Sequence, residues 1–226
     1  MAIPFMKSAR RVGMAAGFGS GLLSAVYAVT LTAGLLSLKS REEPIGEPYF
    51  SILEMLILLL MPLLVGLMVA VHACAPEGVK VFSLLSLVFM AVTAGLTCSV
   101  HFLLLTVGRR AEFAGVAGMP LILSFRWPSV AYALDILAWD GFFPLAVLCA
   151  APVFSGSRLA LSIRGLLIAS GVLALAGLSG VIAGDMRLRN IGIGGYLGVF
   201  PVAAVLMAVF FKRQLPAAVL RTRINA

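Results

Sequence analysis

The chain has 226 residues, of which 62% are hydrophobic and only 12% charged, and its mean hydropathy is +1.10. A soluble domain carries about 25% charged and about 45–50% apolar residues, so this composition excludes a water-facing globular exterior and implies an integral membrane protein. The formal net charge of +8, from 17 basic and 9 acidic residues, falls mostly between apolar runs, where it meets the headgroups of a lipid bilayer rather than nucleic acid.

A membrane-crossing helix needs about 20 consecutive, mostly apolar residues, and six runs reach that length. The first, about 12–38, follows Lys7, Arg10 and Arg11. It is much longer than the roughly 7–15-residue apolar core of a secretory signal and has no convincing cleavage site before its polar end, so it is expected to stay as helix one. Gly13, Gly17 and Gly21 stand four apart on one face of it, a spacing that lets two helix backbones approach closely. The second run, about 49–74, carries Glu54, Pro62 and, near its end, His72. The third, about 81–107, carries His101 and the small-residue face Ala91, Gly95 and Ser99. The Gly- and Pro-rich segment Gly108–Trp127 that follows is expected as a re-entrant or interfacial piece, or as an extension of helix three or four.

The fourth run, about 128–153, contains ALDILAWDGFF. It sets Asp135 and Asp140, with Trp139 between them, in one of the most apolar parts of the chain. The fifth and sixth runs, about 163–184 and 191–211, carry the pairs Gly180 and Gly184, and Gly194 and Gly198. Polar linkers separate the runs: KSREEPIGEP, APEGVK, GRRAEF, SGSRLALSIR and DMRLRN. The expected fold is all-α, a polytopic six-transmembrane-helix bundle forming a single integral membrane domain over residues 1–226. The small-residue faces are expected to pack within the chain, with a homodimer seam as the alternative. Pro62, Pro144 and Pro201 each remove an amide donor. They free the carbonyls of Leu58, Asp140 and Leu197, and the kinks they introduce can open cavities.

Six spans put both termini on one side. That side holds ten Lys and Arg residues (positions 7, 10, 11, 80, 158, 164, 212, 213, 221 and 223). The other holds seven (39, 41, 109, 110, 126, 187 and 189). The excess of basic residues favours cytoplasmic termini in a cell membrane.

Ionisable side chains inside a membrane are costly and usually face a bundle interior or a watery cavity. Setting aside Arg164 at the very start of the fifth run, the apolar runs hold Glu54, His72, His101, Asp135 and Asp140. At about 1.5 Å of rise per residue, Glu54 lies roughly 7 Å, His101 roughly 10 Å and Asp135 roughly 12 Å from the outer end of its helix. Three titratable groups from three helices therefore share the outer half, with Arg109, Arg110 and Arg126 just above them. Asp140 lies deeper, roughly 20 Å in. Trp139 follows Asp135 by four residues and shares its face. Asp140 follows by five, about 140° around an α-helix, so the aspartates should not act as one pair unless the helix is distorted near Gly141 and Pro144. The outer cluster fits a structural hydrogen-bonded knot, a cation or proton site, or a pocket for a small polar ligand. The ligand-binding set is then Glu54, His101, Asp135, Trp139 and Asp140.

No cofactor or metal is expected. His72 and His101 sit at opposite ends of the bundle, so they cannot bind one haem iron at a common level. No HExxH pattern supports a zinc site built on Glu54, His101 and Asp135. Cys74, Cys98 and Cys149 form no CxxC pair and read as small buried hydrophobes. No Walker loop, GxSxG or Rossmann fingerprint occurs.

ALDILAWDGFFPLAVLCAAPVF, IRGLLIASGVL and IGIGGYLGVFPVAAVLMAVFF resemble the second half of a family of uncharacterised bacterial six-helix integral membrane proteins, grouped as a domain of unknown function. The resemblance covers about residues 127–211. It implies a compact six-helix fold in the inner membrane and brings no activity or catalytic residues with it. The leading functional expectation is binding or transport of a small molecule or ion through the outer-half polar site. The alternatives are a structural or assembly subunit of a larger membrane complex, or a homo-oligomer, and an intramembrane enzyme acting on a lipid whose headgroup phosphate the arginines would hold.

Overall fold

The computed structural model describes residues 3–40, 43–110, 112 and 115–214. All regular structure among them is helical. Six helices are long and apolar enough to cross a membrane: α1 (Ile3–Leu36), α2 (Tyr49–Cys74), α3 (Lys80–Thr106), α4 (Val130–Val153), α5 (Arg158–Ala183) and α6 (Asn190–Arg213). Each packs on the next in sequence, and α6 returns to α1, so the six close into a ring. Helices α2, α3 and α4 are therefore consecutive neighbours, as a site shared by Glu54, His101 and Asp135 requires. The shared core is built from Met61, Leu64, Leu67 and Met68 of α2, Phe143 and Val147 of α4, Ile163 and Leu167 of α5, and Ala203, Ala204 and Met207 of α6.

Two helices begin earlier than their apolar runs. Helix α5 starts at Arg158 because the Ser157 hydroxyl accepts the Ala160 amide at 3.2 Å, an N-cap inside a linker that reads as merely polar. Helix α1 carries Arg10 and Arg11 within it. Arg10 donates to the carbonyls of Phe211 and Lys212 at 3.1 and 3.0 Å, satisfying the last turn of α6. The Gly108–Trp127 segment prolongs α3 only through the 3-10 turn Val107–Arg109. It holds a short helix, Met119–Ile122, and leaves Val116, Leu121, Ile122 and Trp127 exposed. Arg221 and Arg223, like Arg41, lie outside the described residues.

Proline acts differently at the three mid-helix positions Pro62, Pro144 and Pro201. Helix α2 runs unbroken through Pro62. In α4 and α6 the turn before the proline widens into a π-helix, Leu137–Phe142 and Gly194–Val199. The residue just before each proline bonds five back: Phe143 N–H to Ala138 O, and Phe200 N–H to Gly195 O. Such single π-turns absorb the lost donor without breaking the helix.

The small-residue faces divide. Gly13, Gly17 and Gly21 meet α6, where a methyl at Gly17 would lie 2.6 Å from the Ala204 carbonyl oxygen. By contrast Ala91, Gly95 and Ser99 are exposed, and Gly194 and Gly198 touch nothing across a helix interface. The glycines of α6 that meet α5 are Gly192 and Gly195, three apart rather than four. Gly184 is no packing residue; it ends α5 in the left-handed region at φ 69°, a conformation that favours glycine. Gly17→Ala is expected to destabilise by about 1–3 kcal/mol through overpacking, while Gly95→Ala stays within about 0.5 kcal/mol. Denaturant unfolding of the two variants in mild detergent checks the contrast.

Candidate functional site

Ser129 begins α4, its hydroxyl accepting the Tyr132 amide at 3.1 Å. One turn further on, Asp135 faces the bundle interior and is buried. Glu54 of α2 and His101 of α3 are buried beside it. His101 bridges the two carboxylates: its Nδ1 lies 2.7 Å from Glu54 Oε2 and its Nε2 3.4 Å from Asp135 Oδ1. Each ring nitrogen faces a carboxylate oxygen, so a protonated ring would donate to both, whereas a neutral ring would turn a lone pair toward one carboxylate. The structure thus brings together the three residues of shared depth.

Asp140 joins the same network, contrary to the angular separation expected of an α-helix. Most of the interval between the two aspartates is the π-turn Leu137–Phe142. Bonding to the fifth residue back enlarges the turn, so positions five apart come nearly into line. Both carboxylates then reach one cation. Arg189 donates from Nη2 to Asp135 Oδ2 at 2.7 Å and from Nε to Asp140 Oδ2 at 3.0 Å.

Sequence reasoning missed Arg189 and looked instead to Arg109, Arg110 and Arg126. Those three are exposed, and Arg109 pairs with Glu47 away from the cluster. Arg189 comes from the turn between α5 and α6, is only 3% exposed, and lies with its guanidinium 4.5 Å over the Tyr132 ring. Its neighbour Arg187 points out to pair with Asp185 at 3.1 Å. That hydrogen bond holds the exposed Asp185 carboxyl below the usual carboxylate range. Two arginines two residues apart thus go opposite ways from one turn. The signal that could have found Arg189 is charge balance, since three buried carboxylates and one histidine call for a further cation.

Above the network lies a cavity of about 210 Å³. His101, Asp135 and Arg189 form its polar wall, and Tyr27, Phe125, Tyr132, Trp139 and Tyr196 line it with rings. Trp139 is held by Tyr196 and Phe143 at 4.9 and 5.4 Å between ring centres. Phe125 comes from the 108–127 segment and packs with its ring tilted against that of His101, 5.5 Å between centres. Asp140 is fully buried beneath and does not line the cavity.

Among the described residues no three His, Cys, Asp or Glu side chains form a set that could hold a metal ion. His72 is remote from the cluster, its Nδ1 2.9 Å from the Ser83 hydroxyl. Cys74, Cys98 and Cys149 are free and partly buried. The arrangement offers an imidazolium and a guanidinium threaded between three carboxylates at the edge of an aromatic-walled space. It can exchange protons and orient a small polar molecule. Compared with protein-family models, curated proteins and solved structures, the chain matches none.

Proposed function

We propose that this chain is a multi-pass protein of the cell membrane, with both termini cytoplasmic, that binds a small polar or charged ligand in the aromatic cavity of its outer half as a binding or transport protein. One observation carries the reading. The cavity of about 210 Å³ has His101, Asp135 and Arg189 in its wall, and that volume far exceeds the roughly 10–15 Å³ one water molecule needs. A buried ionic network is a poor source of stability, and charged groups at membrane depth commonly mark a ligand or ion path. The likeness of residues 127–211 to the bacterial six-helix family agrees with this architecture and adds no chemistry.

The chain has two tryptophans, and only Trp139 lines the cavity. A Trp127→Phe protein therefore reports on the cavity through one fluorophore. Tetraethylammonium, glutamate and glycerol, titrated in turn, represent cationic, anionic and neutral polar solutes. The expected result is a saturable change in Trp139 emission with one class, lost in Asp135→Asn. Unsaturable responses to all three count against the reading.

A second reading rests on the exposed small-residue face Ala91, Gly95 and Ser99 of α3. Such a face suits close contact with another membrane helix, as in an assembly subunit or a homo-oligomer. Native mass spectrometry from gentle detergent discriminates, because a lone monomer removes this reading.

A further inference from the structure

The charges of the network do not balance. Glu54, Asp135 and Asp140 supply three negative charges. Arg189 and a protonated His101 supply two positive ones. All five side chains are at most 5% exposed, and an uncompensated charge at such depth is strongly unfavourable. The pairing of the carboxylate oxygens shows where the imbalance sits. Asp135 uses Oδ1 on His101 and Oδ2 on Arg189, and Glu54 Oε2 faces His101. Among the described residues, Asp140 Oδ1 is the one buried carboxylate oxygen with no hydrogen-bond partner.

The surroundings of that oxygen are closed. It rests between the bare Cα positions of Gly177 on α5 and Gly192 on α6. A methyl at Gly177 would come within 2.6 Å of it, and a methyl at Gly192 would overlap it. The Ala174 carbonyl oxygen also faces the Gly192 position, at 3.3 Å from where that methyl would be. No donor is available there, and no space for a metal ion with its ligands. The ionisable groups near Asp140 are Arg189, Asp135 and Tyr196. Ala174 and Gly177 on the facing part of α5 contribute none, and Thr93 of α3 reaches only the Ala138 carbonyl, at 3.5 Å.

We propose that Asp140 is a proton-binding site, carrying a proton on its carboxyl group while Arg189 bridges it to Asp135. One proton on Asp140 makes the network neutral and turns Oδ1 from an acceptor without a donor into a hydroxyl, on the side of the site where the Ala174 carbonyl oxygen lies. The proposal deepens the ligand-binding reading by naming the proton as a second ligand of the same site, and rests on that reading only for its consequence. A cation admitted to the cavity would supply the same missing charge, so its binding and release of the Asp140 proton are linked.

Infrared spectroscopy of the full-length protein in lipid, with no ligand added, tests the proton assignment apart from any ligand. The chain has only three aspartates, Asp135, Asp140 and Asp185, so carbon-13 at the aspartate carboxyl isolates them. At pH 7 the wild type should show the carbonyl stretch of one protonated aspartic acid, and Asp140→Asn should lose it. Asparagine keeps an acceptor for Arg189 and is uncharged, so Asp140→Asn should also fold with a thermal midpoint close to wild type, while Asp135→Asn falls well below. A wild-type spectrum without the band overturns the proposal. So does a band that survives in Asp140→Asn, or an Asp140→Asn midpoint lowered as far as that of Asp135→Asn.

Discussion

Arg189→Leu is expected to destabilise the protein by roughly 3–5 kcal/mol, the usual consequence of removing one partner from a buried ion pair. The guanidinium contacts Asp135 and Asp140 through different nitrogens, at 2.7 and 3.0 Å. Its loss strips the Asp135 carboxylate of its cation and Asp140 of its hydrogen-bond donor, both among buried side chains. Leucine fills part of the volume, so the lost pairing rather than a cavity dominates. Lysine at this position should recover only part of the loss, because a point charge cannot span two carboxylates as the planar fork does. Combining Arg189→Leu with Asp135→Asn should restore stability relative to Arg189→Leu alone, since the orphaned charge is gone. Arg187→Leu provides the control. Arg187 is exposed and pairs only with Asp185, so its midpoint should match wild type, as for most surface ion pairs. Thermal unfolding of the four variants in one detergent checks the series. A small effect of Arg189→Leu would mean that water enters the cluster and screens it.

Hydropathy made the six helices legible, because each crossing length of apolar sequence has to form its own backbone hydrogen bonds. Their order around the ring was not legible, since apolar runs carry no address. The bounds of α2 followed from the run itself. Those of α5 did not, because Ser157 caps the helix inside a stretch that composition alone marks as linker. Shared depth brought Glu54, His101 and Asp135 under one heading, because rise per residue is the same in every α-helix. Depth could not place Asp140. Its angle depends on the hydrogen-bond register of residues 137–142, and one π-turn moves it onto the face of Asp135. Pro144 marked the place where register was at risk without saying which way it would go. The choice of Arg189 over six other basic residues on that side depends on a turn only a few residues long. There the backbone decides whether Arg187 or Arg189 points inward, and periodicity does not extend through such a turn. The glycine faces fail for the same reason. A four-residue spacing identifies a face but not which face meets a neighbour, and in α6 the glycines against α5 are Gly192 and Gly195.

Its place against both Asp140 and α5 gives Gly192 an exceptional constraint. Gly192→Ala is expected to cost about 3 kcal/mol or more, above the usual range for overpacking by one methyl. The added carbon would overlap Asp140 Oδ1 and stand 3.3 Å from the Ala174 carbonyl oxygen. Relief by separating α5 from α6 is resisted by the Ser170 hydroxyl, which donates to Gly195 O at 2.9 Å, and by the close approach of Gly195 itself to the Ser170 and Ala174 backbone. Relief by moving Asp140 pulls its other oxygen from Arg189 and adds the loss of a buried charged hydrogen bond. Gly194→Ala and Gly198→Ala, two and six residues along the same helix, meet nothing within 4 Å and should stay within about 0.5 kcal/mol. The double variant Gly192→Ala with Asp140→Ala separates the two routes. If the carboxylate is the obstacle, the new methyl occupies the space it vacates, and the pair should be coupled by up to about 3 kcal/mol. If helix separation dominates, the single effects add. Additivity would leave Gly192 a packing residue alone; strong coupling would mean that the α5–α6 crossing is built around the Asp140 carboxyl group, with its distance from Arg189 set by two absent side chains.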